Sequence, residues 1–319
     1  MSFSILGTGS ALPAVAVSND DLSRIVDTSD EWIRTRTGIV ERRVCTTETI
    51  TDLAYLAAMK ALDESGCTAG ELDMIICATI TADYSTPSMA CILQKRLGAN
   101  CPAFDVSAAC TGFLYAMDIA AAYFARKPQQ KILLVGADAM SKAVDWQDRA
   151  TCVLFGDGAG AAVLGPGDDL LAIQIGAKGD TDVLYAPAAK GNCPFRTEEP
   201  ASPYLVMDGQ EVFRFAVTAM ARTVEEALAQ AKLNKDDLTY VIPHQANIRI
   251  IDSAISRMKI PKEKCLTNIA RYGNTSAACV AILLDETNRA GKLKKGDLLA
   301  LTAFGGGLTT GACILRWAK

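Results

Sequence analysis

The chain of 319 residues repeats one order of helix-like and strand-like segments in its two halves, and this repeat limits the folds open to it. Each half contains an amphipathic helix, a buried strand, a second helix and a second strand, and then a glycine-rich turn that leads into an apolar strand. Alternating helices and strands are typical of α/β proteins, and a repeated pattern indicates a repeated structural unit. We therefore predict an α/β protein with two pseudo-repeated halves, residues 1–170 and 171–319, that meet near 166–171.

The predicted segments of the two halves follow one another in the same order. In the first half they span residues 50–65, 72–79, 109–125, 131–137 and 160–164. In the second half they span residues 212–232, 238–243, 275–289, 297–302 and 311–315. In this alignment Cys110 and Asn274 hold corresponding positions, and so do the glycine turns at 155–158 and 304–307. Residues 178–203 are polar and rich in proline, which indicates a surface loop.

Composition argues against several kinds of protein. Hydrophobic residues make up 50% of the chain and charged residues 21%, so the chain can bury a large core. The net charge of −4 argues against a nucleic-acid partner. No apolar run reaches the ~18 residues of a membrane span, and residues 1–17 lack the basic start and long apolar stretch of a secretory signal. We expect a cytoplasmic protein without a membrane partner.

The eleven cysteines do not form a disulfide or metal pattern. Their number is odd, no C-x-x-C occurs, and most lie in apolar runs. Ten of them are therefore expected to be small buried hydrophobic residues in a reducing compartment. The chain contains one histidine, which excludes a histidine-based metal cluster, and we expect no metal.

Cys110 and His244 are the first candidates for chemistry. Cys110 lies where a strand-like stretch ends and a helix begins, and the N–H groups and dipole of a helix start favour a thiolate there. From this context alone, a nucleophile and another buried cysteine are about equally supported. His244 follows the predicted strand that ends at Pro243, a place where sites gather in α/β proteins. A lone histidine is usually structural, but this one is the only imidazole available for acid–base work or donation.

Asn274 and two glycine turns complete the candidate set. Asn274 could be a helix N-cap, for which asparagine is well suited, or an amide donor in the same pocket as Cys110. We favour the donor, because the pseudo-twofold would bring the two helix starts together. The glycines of 304–307 allow close approach of backbone N–H groups that could bind an oxyanion. The run 156–160 lacks a full G-x-G-x-x-G and leads into a strand, so NAD binding is not expected.

Taken together, these motifs resemble those of the β-ketoacyl-acyl carrier protein synthase III family of the thiolase superfamily. The resemblance covers essentially the whole chain. It is carried by residues 28–33, 36–39, 105–110, 156–161, 243–247, 272–277 and 304–307. It implies a thiolase-like fold, in which two α/β halves form a layered αβαβα sandwich, and it implies a homodimer.

The resemblance also implies a decarboxylative condensation that starts fatty-acid synthesis. The Cys110 thiolate would take the acyl group from an acyl-CoA, and malonyl-acyl carrier protein would then lose CO₂ and attack the acyl-cysteine. His244 and Asn274 would donate to the thioester oxygen during decarboxylation. The backbone N–H groups of Cys110 and Gly306 would hold the oxyanion of acyl transfer. No cofactor is implied, because the CoA thioester is a substrate.

The same resemblance suggests where CoA and the carrier protein bind. Trp32 and Arg149 would sandwich the adenine, a stacking role that their flat groups permit. Charged neighbours place Trp32 near the surface, although a core aromatic is the alternative. The other implied CoA contacts are Arg36 at a phosphate and Thr28, Gly209, Phe213 and Asn247 along the pantetheine tunnel. The residues implied for an acidic carrier protein are Arg214, Arg249 and Arg257, each of which could equally be a solvated surface residue.

Thr86 departs from the family pattern. Family members often carry a bulky aromatic before the proline that matches Pro87, where a partner subunit closes the acyl pocket. The smaller threonine predicts a deeper pocket and primers longer than acetyl.

Three alternatives compete with the condensing enzyme. A thiolase needs a second cysteine in the last glycine turn, and 304–307 contains none. An enzyme of the same fold that condenses or transfers acyl groups in secondary metabolism stays open. A catalytically silent module that binds acyl-CoA or carrier protein would not need Cys110, His244 and Asn274 together.

Overall fold

The computed structural model describes residues 2–188, 194–195 and 202–319. The strands of these ranges are β1 (Ser2–Ala11), β2 (Val15–Ser18), β3 (Glu41–Val44), β4 (Met74–Ala78), β5 (Ala103–Val106), β6 (Ile132–Ala139), β7 (Asp157–Gly167), β8 (Leu170–Ala177), β9 (Leu184–Tyr185), β10 (Val206–Met207), β11 (Tyr240–Pro243), β12 (Leu298–Gly305) and β13 (Thr309–Arg316). The helices are α1 (Asn19–Leu22), α2 (Asp30–Thr37), α3 (Ile50–Ser65), α4 (Met89–Leu97), α5 (Gly112–Arg126), α6 (Gly209–Ala231), α7 (Ile248–Met258), α8 (Ile269–Tyr272) and α9 (Cys279–Arg289).

Two mixed sheets with matching topology form the frame. The first has the order β1-β7-β6-β4-β5 and the second β8-β13-β12-β11. In both, the first two neighbouring pairs are antiparallel and the next pair is parallel. A single parallel bridge between Val241 and Cys265 stands where the second sheet would have a counterpart of β5. The predicted boundary between residues 170 and 171 lies at the start of β8, with which the second sheet begins.

Helices cover both faces of each sheet. One apolar cluster joins α5 and α9 to both sheets, through residues such as Phe113, Leu283, Ile132 and Leu301. A second cluster packs α3 and α4 on the outer face of the first sheet, and a third packs α6 and α7 on that of the second. All five residues of β4 are buried, as expected for a strand between two helical layers. The layers therefore run α-β-α-β-α, and the predicted fold is confirmed.

The structure corrects the alignment of the two halves around Cys110. A short 3₁₀ turn precedes each central helix, at Ala109–Thr111 before α5 and at Ser276–Ala278 before α9. Each turn begins with a non-glycine residue at positive φ, 47° at Ala109 and 51° at Ser276. The counterpart of Cys110 is therefore Ala277, and the pairing with Asn274 is wrong. A left-handed backbone at alanine or serine is uncommon, so the sequence did not signal these equivalent points.

The cysteines are also less uniformly buried than predicted. Cys91 is exposed on α4, while Cys45, Cys101 and Cys265 are half-buried. Cys91 and Cys101 flank the edge strand β5, which no further strand covers in the described chain. Cys193 lies outside the described residues. In the described residues we find no helix whose length and apolar character would carry it across a bilayer.

Candidate active site

Cys110, His244 and Asn274 line one internal cavity of about 160 Å³. Cys110 lies just before α5, His244 just after β11, and Asn274 shortly before α9. Most of the remaining wall is apolar, with Met140, Leu205 and Phe304 among its members. The cavity lies where the central helices of the two halves begin, as the pseudo-twofold arrangement predicts.

The Cys110 thiol is in an environment that opposes ionisation. Its remaining exposed surface faces the cavity. Burial raises the pKa of Cys110 to about 12, the Ser276 side chain beside it opposes this shift, and the charge of Asp138 adds to it. This direction is opposite to the expectation that the helix start makes the thiol ionise more readily. Desolvation is the largest cause, and no cation lines this cavity within the described chain.

Three contacts position His244, one through its backbone and two through its imidazole ring. Its backbone N–H donates to Thr302 O at 2.7 Å, and its ring meets Phe304 edge-on with 5.3 Å between centroids. Its Nδ1 lies 2.7 Å from the Sγ of Cys279, and its Nε2 is buried without a hydrogen-bond partner in the described chain. Burial lowers the pKa of His244 to about 3, so the ring carries no charge at neutral pH.

The Asn274 amide has a fixed orientation. Its Oδ1 accepts a hydrogen bond of 2.8 Å from the backbone N–H of Ser276. Because the oxygen is engaged, the NH₂ group is the part of the amide available to the cavity. Asn274 is not the helix N-cap, because Thr275 caps the 3₁₀ turn and Ala278 precedes α9. The role of its amide as a donor in the cavity stays a prediction.

The glycine turn brings its backbone against Cys110. A Cβ at Gly305 would lie 2.8 Å from the Cys110 nitrogen, which shows how closely the two main chains approach. Gly306 lines the cavity beside it. Neither Cys110 N–H nor Gly306 N–H donates to a backbone carbonyl of the described residues. Both groups are thus available to an oxyanion at the sulfur, which is the role predicted for them.

An outer cavity of about 580 Å³ adjoins this site. Phe213 and Asn247 line both cavities, and Arg36 and Arg249 line only the outer one. Phe213 is 37% exposed, as expected for a side chain at a mouth. Gly209 lines the inner cavity at the start of α6. Phe213 and Asn247 therefore stand between the outer cavity and the cavity that Cys110 lines.

Trp32 lies near the surface, stacked with two arginines. The guanidinium carbons of Arg36 and Arg149 are 4.6 and 4.9 Å from its ring centroid. Arg149 also donates to Asp27 O at 2.9 Å. An adenine placed between Trp32 and Arg149 would have to displace the guanidinium, because stacked planes need about 3.5 Å on each side of the base. Thr28 Oγ1 is buried without a partner in the described chain.

Comparisons with known proteins decide the family. The family model for 3-oxoacyl-[acyl-carrier-protein] synthase III matches residues 104–179, and the model for its C-terminal part matches residues 228–317. A β-ketoacyl-[acyl-carrier-protein] synthase III of Geobacillus kaustophilus is 48% identical, and the match covers 100% of each chain. The chain belongs to the β-ketoacyl-[acyl-carrier-protein] synthase III family.

Solved structures agree with this family. The crystal structure of 3-oxoacyl-[acyl-carrier-protein] synthase III from Aquifex aeolicus has a TM-score of 0.92 and 47% identity, covering 99% of this chain and 100% of that one. A priming β-ketosynthase of the R1128 polyketide pathway has a TM-score of 0.93 and 36% identity, covering 100% and 97%. As a synthase III family member, the chain is an acyl-transferring condensing enzyme.

The remaining predicted residues of this synthase lie outside both cavities. Thr86 is exposed on the loop before α4. Arg214 on α6 pairs with Glu211 at 2.5 Å, and Arg257 on α7 is exposed. Of the predicted rim, Arg249 lines the outer cavity, and Arg214 lines a separate surface pocket.

Sequence reasoning missed several parts of the synthase site. Leu184, Tyr185 and Ala186 line the cavity from within the segment predicted to be a surface loop, because β9 pairs with β10 and brings them inward. Residues 189–193 and 196–201 of that segment lie outside the described ones. The Ser276 hydroxyl is buried in the cavity wall without a hydrogen-bond partner in the described chain, and Cys279 contacts His244. Ser276 and Cys279 lie two and five residues after Asn274, and this closeness in sequence was the signal that could have identified them.

The raised pKa predicts how Cys110 responds to alkylation. Only the thiolate reacts, so its rate with iodoacetamide should rise about tenfold per pH unit up to about pH 10. Peptide mass spectrometry of Cys110 measures this rate, and the exposed Cys91 in the same digest reports on the reagent. A plateau near the pH of an ordinary thiol, about 8.5, would contradict the neutral cavity.

Proposed function

We propose that this chain condenses an acyl-CoA primer with malonyl-acyl carrier protein, with loss of CO₂, and so initiates fatty-acid synthesis. The observation that carries the proposal is a single buried cavity that holds a thiol, a neutral imidazole and an oriented carboxamide. No cysteine other than Cys110 lines this cavity in the described chain, which opposes a thiolase. The reaction needs no cofactor or metal, because the CoA thioester is itself the acyl donor.

The first half-reaction moves the acyl group to Cys110. The sulfur attacks the thioester carbonyl, the N–H groups of Cys110 and Gly306 hold the resulting oxyanion, and the carbon–sulfur bond to CoA breaks. The thiol proton leaves with the CoA sulfur, so the transfer releases no net proton. A thiol that is protonated before it reacts is compatible with this balance.

The second half-reaction creates negative charge on an oxygen. The malonyl carboxylate leaves as CO₂, and its electron pair passes to the thioester as an enolate. Nε2–H of His244 and Nδ2–H of Asn274 donate to that oxygen. The enolate carbon then attacks the acyl-cysteine, its new carbon–carbon bond replaces the carbon–sulfur bond, and the Cys110 thiolate that leaves takes up one proton from water.

We further propose that CoA lies along the outer cavity. Arg36 and Arg249 on its wall would meet phosphate, and Phe213 and Asn247 would flank the pantetheine arm. Gly209 would leave room for this arm, and Thr28 Oγ1 would supply a hydroxyl that has no partner in the described chain. The adenine would take the place of the Arg149 guanidinium over Trp32.

The carrier protein would approach over the basic residues beside this mouth. Arg249 and Arg257 both lie on α7, and Arg214 lies on the adjacent α6. They would steer an acidic partner despite the net negative charge of the chain.

A homodimer would form along the edge strand β5. Its residues are half-buried, and Phe104 and Val106 are apolar at an edge that no strand covers in the described chain. Asp105 of β5 accepts from Met89 N and Ala90 N, so the loop that carries Thr86 is fixed to this edge. A second copy paired there would bring its Thr86 toward this subunit and help to close the acyl pocket.

Removal of either donor should separate the two half-reactions. His244→Ala and Asn274→Ala should each lower condensation with malonyl-acyl carrier protein by about 10²–10³-fold, because one donor to the enolate is lost. Acylation of Cys110 by acyl-CoA should persist and is measured by intact-protein mass spectrometry. Cys110→Ala should abolish acylation itself. Retained condensation in both donor variants would contradict the mechanism.

The small Thr86 predicts primers longer than acetyl. Mass spectrometry after incubation with acetyl-, butyryl- and octanoyl-CoA should show Cys110 acylated by the longer chains as well. Thr86→Phe should reduce octanoyl transfer at least tenfold and leave acetyl transfer intact, because the ring would shorten the pocket. Thr47→Phe, at another exposed threonine, is the control. A strict acetyl preference of the unaltered enzyme would exclude the deeper pocket.

Charge reversal on α7 should weaken the carrier-protein step. Arg257→Glu should raise KM for malonyl-acyl carrier protein several-fold at low salt, with the difference shrinking as salt increases. KM for acyl-CoA should not change. Arg126→Glu is the control, since Arg126 ends α5, about 20 Å from the helix start at Cys110. An equal rise in KM in both variants would reject the docking site.

A further inference from the structure

The contact between His244 and Cys279 bears on the hydrogen-bonding role of the imidazole. A neutral imidazole carries one N–H, on Nδ1 or on Nε2, and the partner of one nitrogen determines what the other can do. Nδ1 lies 2.7 Å from Cys279 Sγ, and no other hydrogen bond of Nδ1 is found in the described chain. Nε2 belongs to a cavity-lining residue and is buried with no partner among the described residues. The contact at Nδ1 therefore determines whether Nε2 is a hydrogen-bond donor or an acceptor at the cavity.

The surroundings of Cys279 favour one direction for this hydrogen bond. Its thiol is buried, and burial raises its pKa well above the ordinary value, so the sulfur keeps its hydrogen. In the described chain His244 Nδ1 is the hydrogen-bond partner found for this thiol, at 2.7 Å. A thiol has one hydrogen to donate, and Nδ1 is the acceptor that this hydrogen can reach. Nδ1 then accepts, and the ring proton resides on Nε2.

We propose that Cys279 is a positioning residue whose thiol donates to Nδ1 and holds His244 in the tautomer that presents Nε2–H to the cavity. The catalytic consequence rests on the proposed function, in which Nε2–H donates to the enolate oxygen. In the opposite tautomer, Nε2 would face the enolate with a lone pair and would repel it.

Because the chain has a single histidine, its tautomer can be observed without assignment. In protein labelled with ¹⁵N-histidine, two-bond ¹H–¹⁵N correlations report which ring nitrogen carries the proton. The unaltered enzyme and Cys279→Ser, whose hydroxyl can donate in the same way, should show Nε2–H. Cys279→Ala should move the Nδ1 resonance and populate the other tautomer. Cys313→Ala removes a different buried thiol and should leave the imidazole spectrum unchanged.

Enzymatic rates provide the second readout. Cys279→Ala should lower condensation at least tenfold while acyl transfer to Cys110 continues, and Cys279→Ser should restore condensation. An Nδ1–H tautomer in the unaltered enzyme, or a Cys279→Ala spectrum identical to it, would overturn the proposal. If Cys279→Ala does not fold, the spectra of the unaltered enzyme and Cys279→Ser decide. The spectra need no substrate, so an enzyme inert towards malonyl-acyl carrier protein would refute the proposed function alone.

Discussion

Desolvation of the cavity is the constraint on which the rest of the site depends. It raises the pKa of Cys110 to about 12 and lowers that of His244 to about 3, so both groups are neutral before substrate enters. Fixed N–H dipoles then have to stabilise the negative charge that the reaction creates. In a low-dielectric wall such dipoles act strongly and need little reorganisation. A resident carboxylate would oppose that charge, and none lines the cavity in the described chain.

Small residues allow the two halves to meet closely enough to build this cavity. A Cβ at Gly136 would lie 2.5 Å from the Ala277 carbonyl oxygen, and one at Gly160 would lie 2.6 Å from the Ala281 side chain. Asp138 fastens the same junction, because one carboxyl oxygen accepts from Ile80 N and the other from Ala277 N. Close packing of glycine and alanine thus fixes the helix starts relative to the sheets, and the functional groups with them.

Periodicity and turn residues predicted the strands and helices well, because each depends on local burial. The predicted helix 50–65 is α3 without a change of bounds, and the strand predicted at 238–243 begins only two residues later, at Tyr240. Features set by the fold as a whole could not be predicted in this way. Polar composition identified 178–203 as a loop, yet pairing of β9 with β10 turns Leu184 into the cavity. The thiol pKa likewise depends on a wall assembled from distant segments.

The shared backbone bend at Ala109 and Ser276 shows how a symmetric frame supports asymmetric chemistry. A left-handed non-glycine residue costs about 1–2 kcal/mol, and both halves bear this cost although only one carries the nucleophile. In the first half the bend precedes Cys110. In the second half it directs the Ser276 N–H to Asn274 Oδ1 and the Ala277 N–H to Asp138. The second bend therefore orients the carboxamide donor, whereas the first bend positions the thiol.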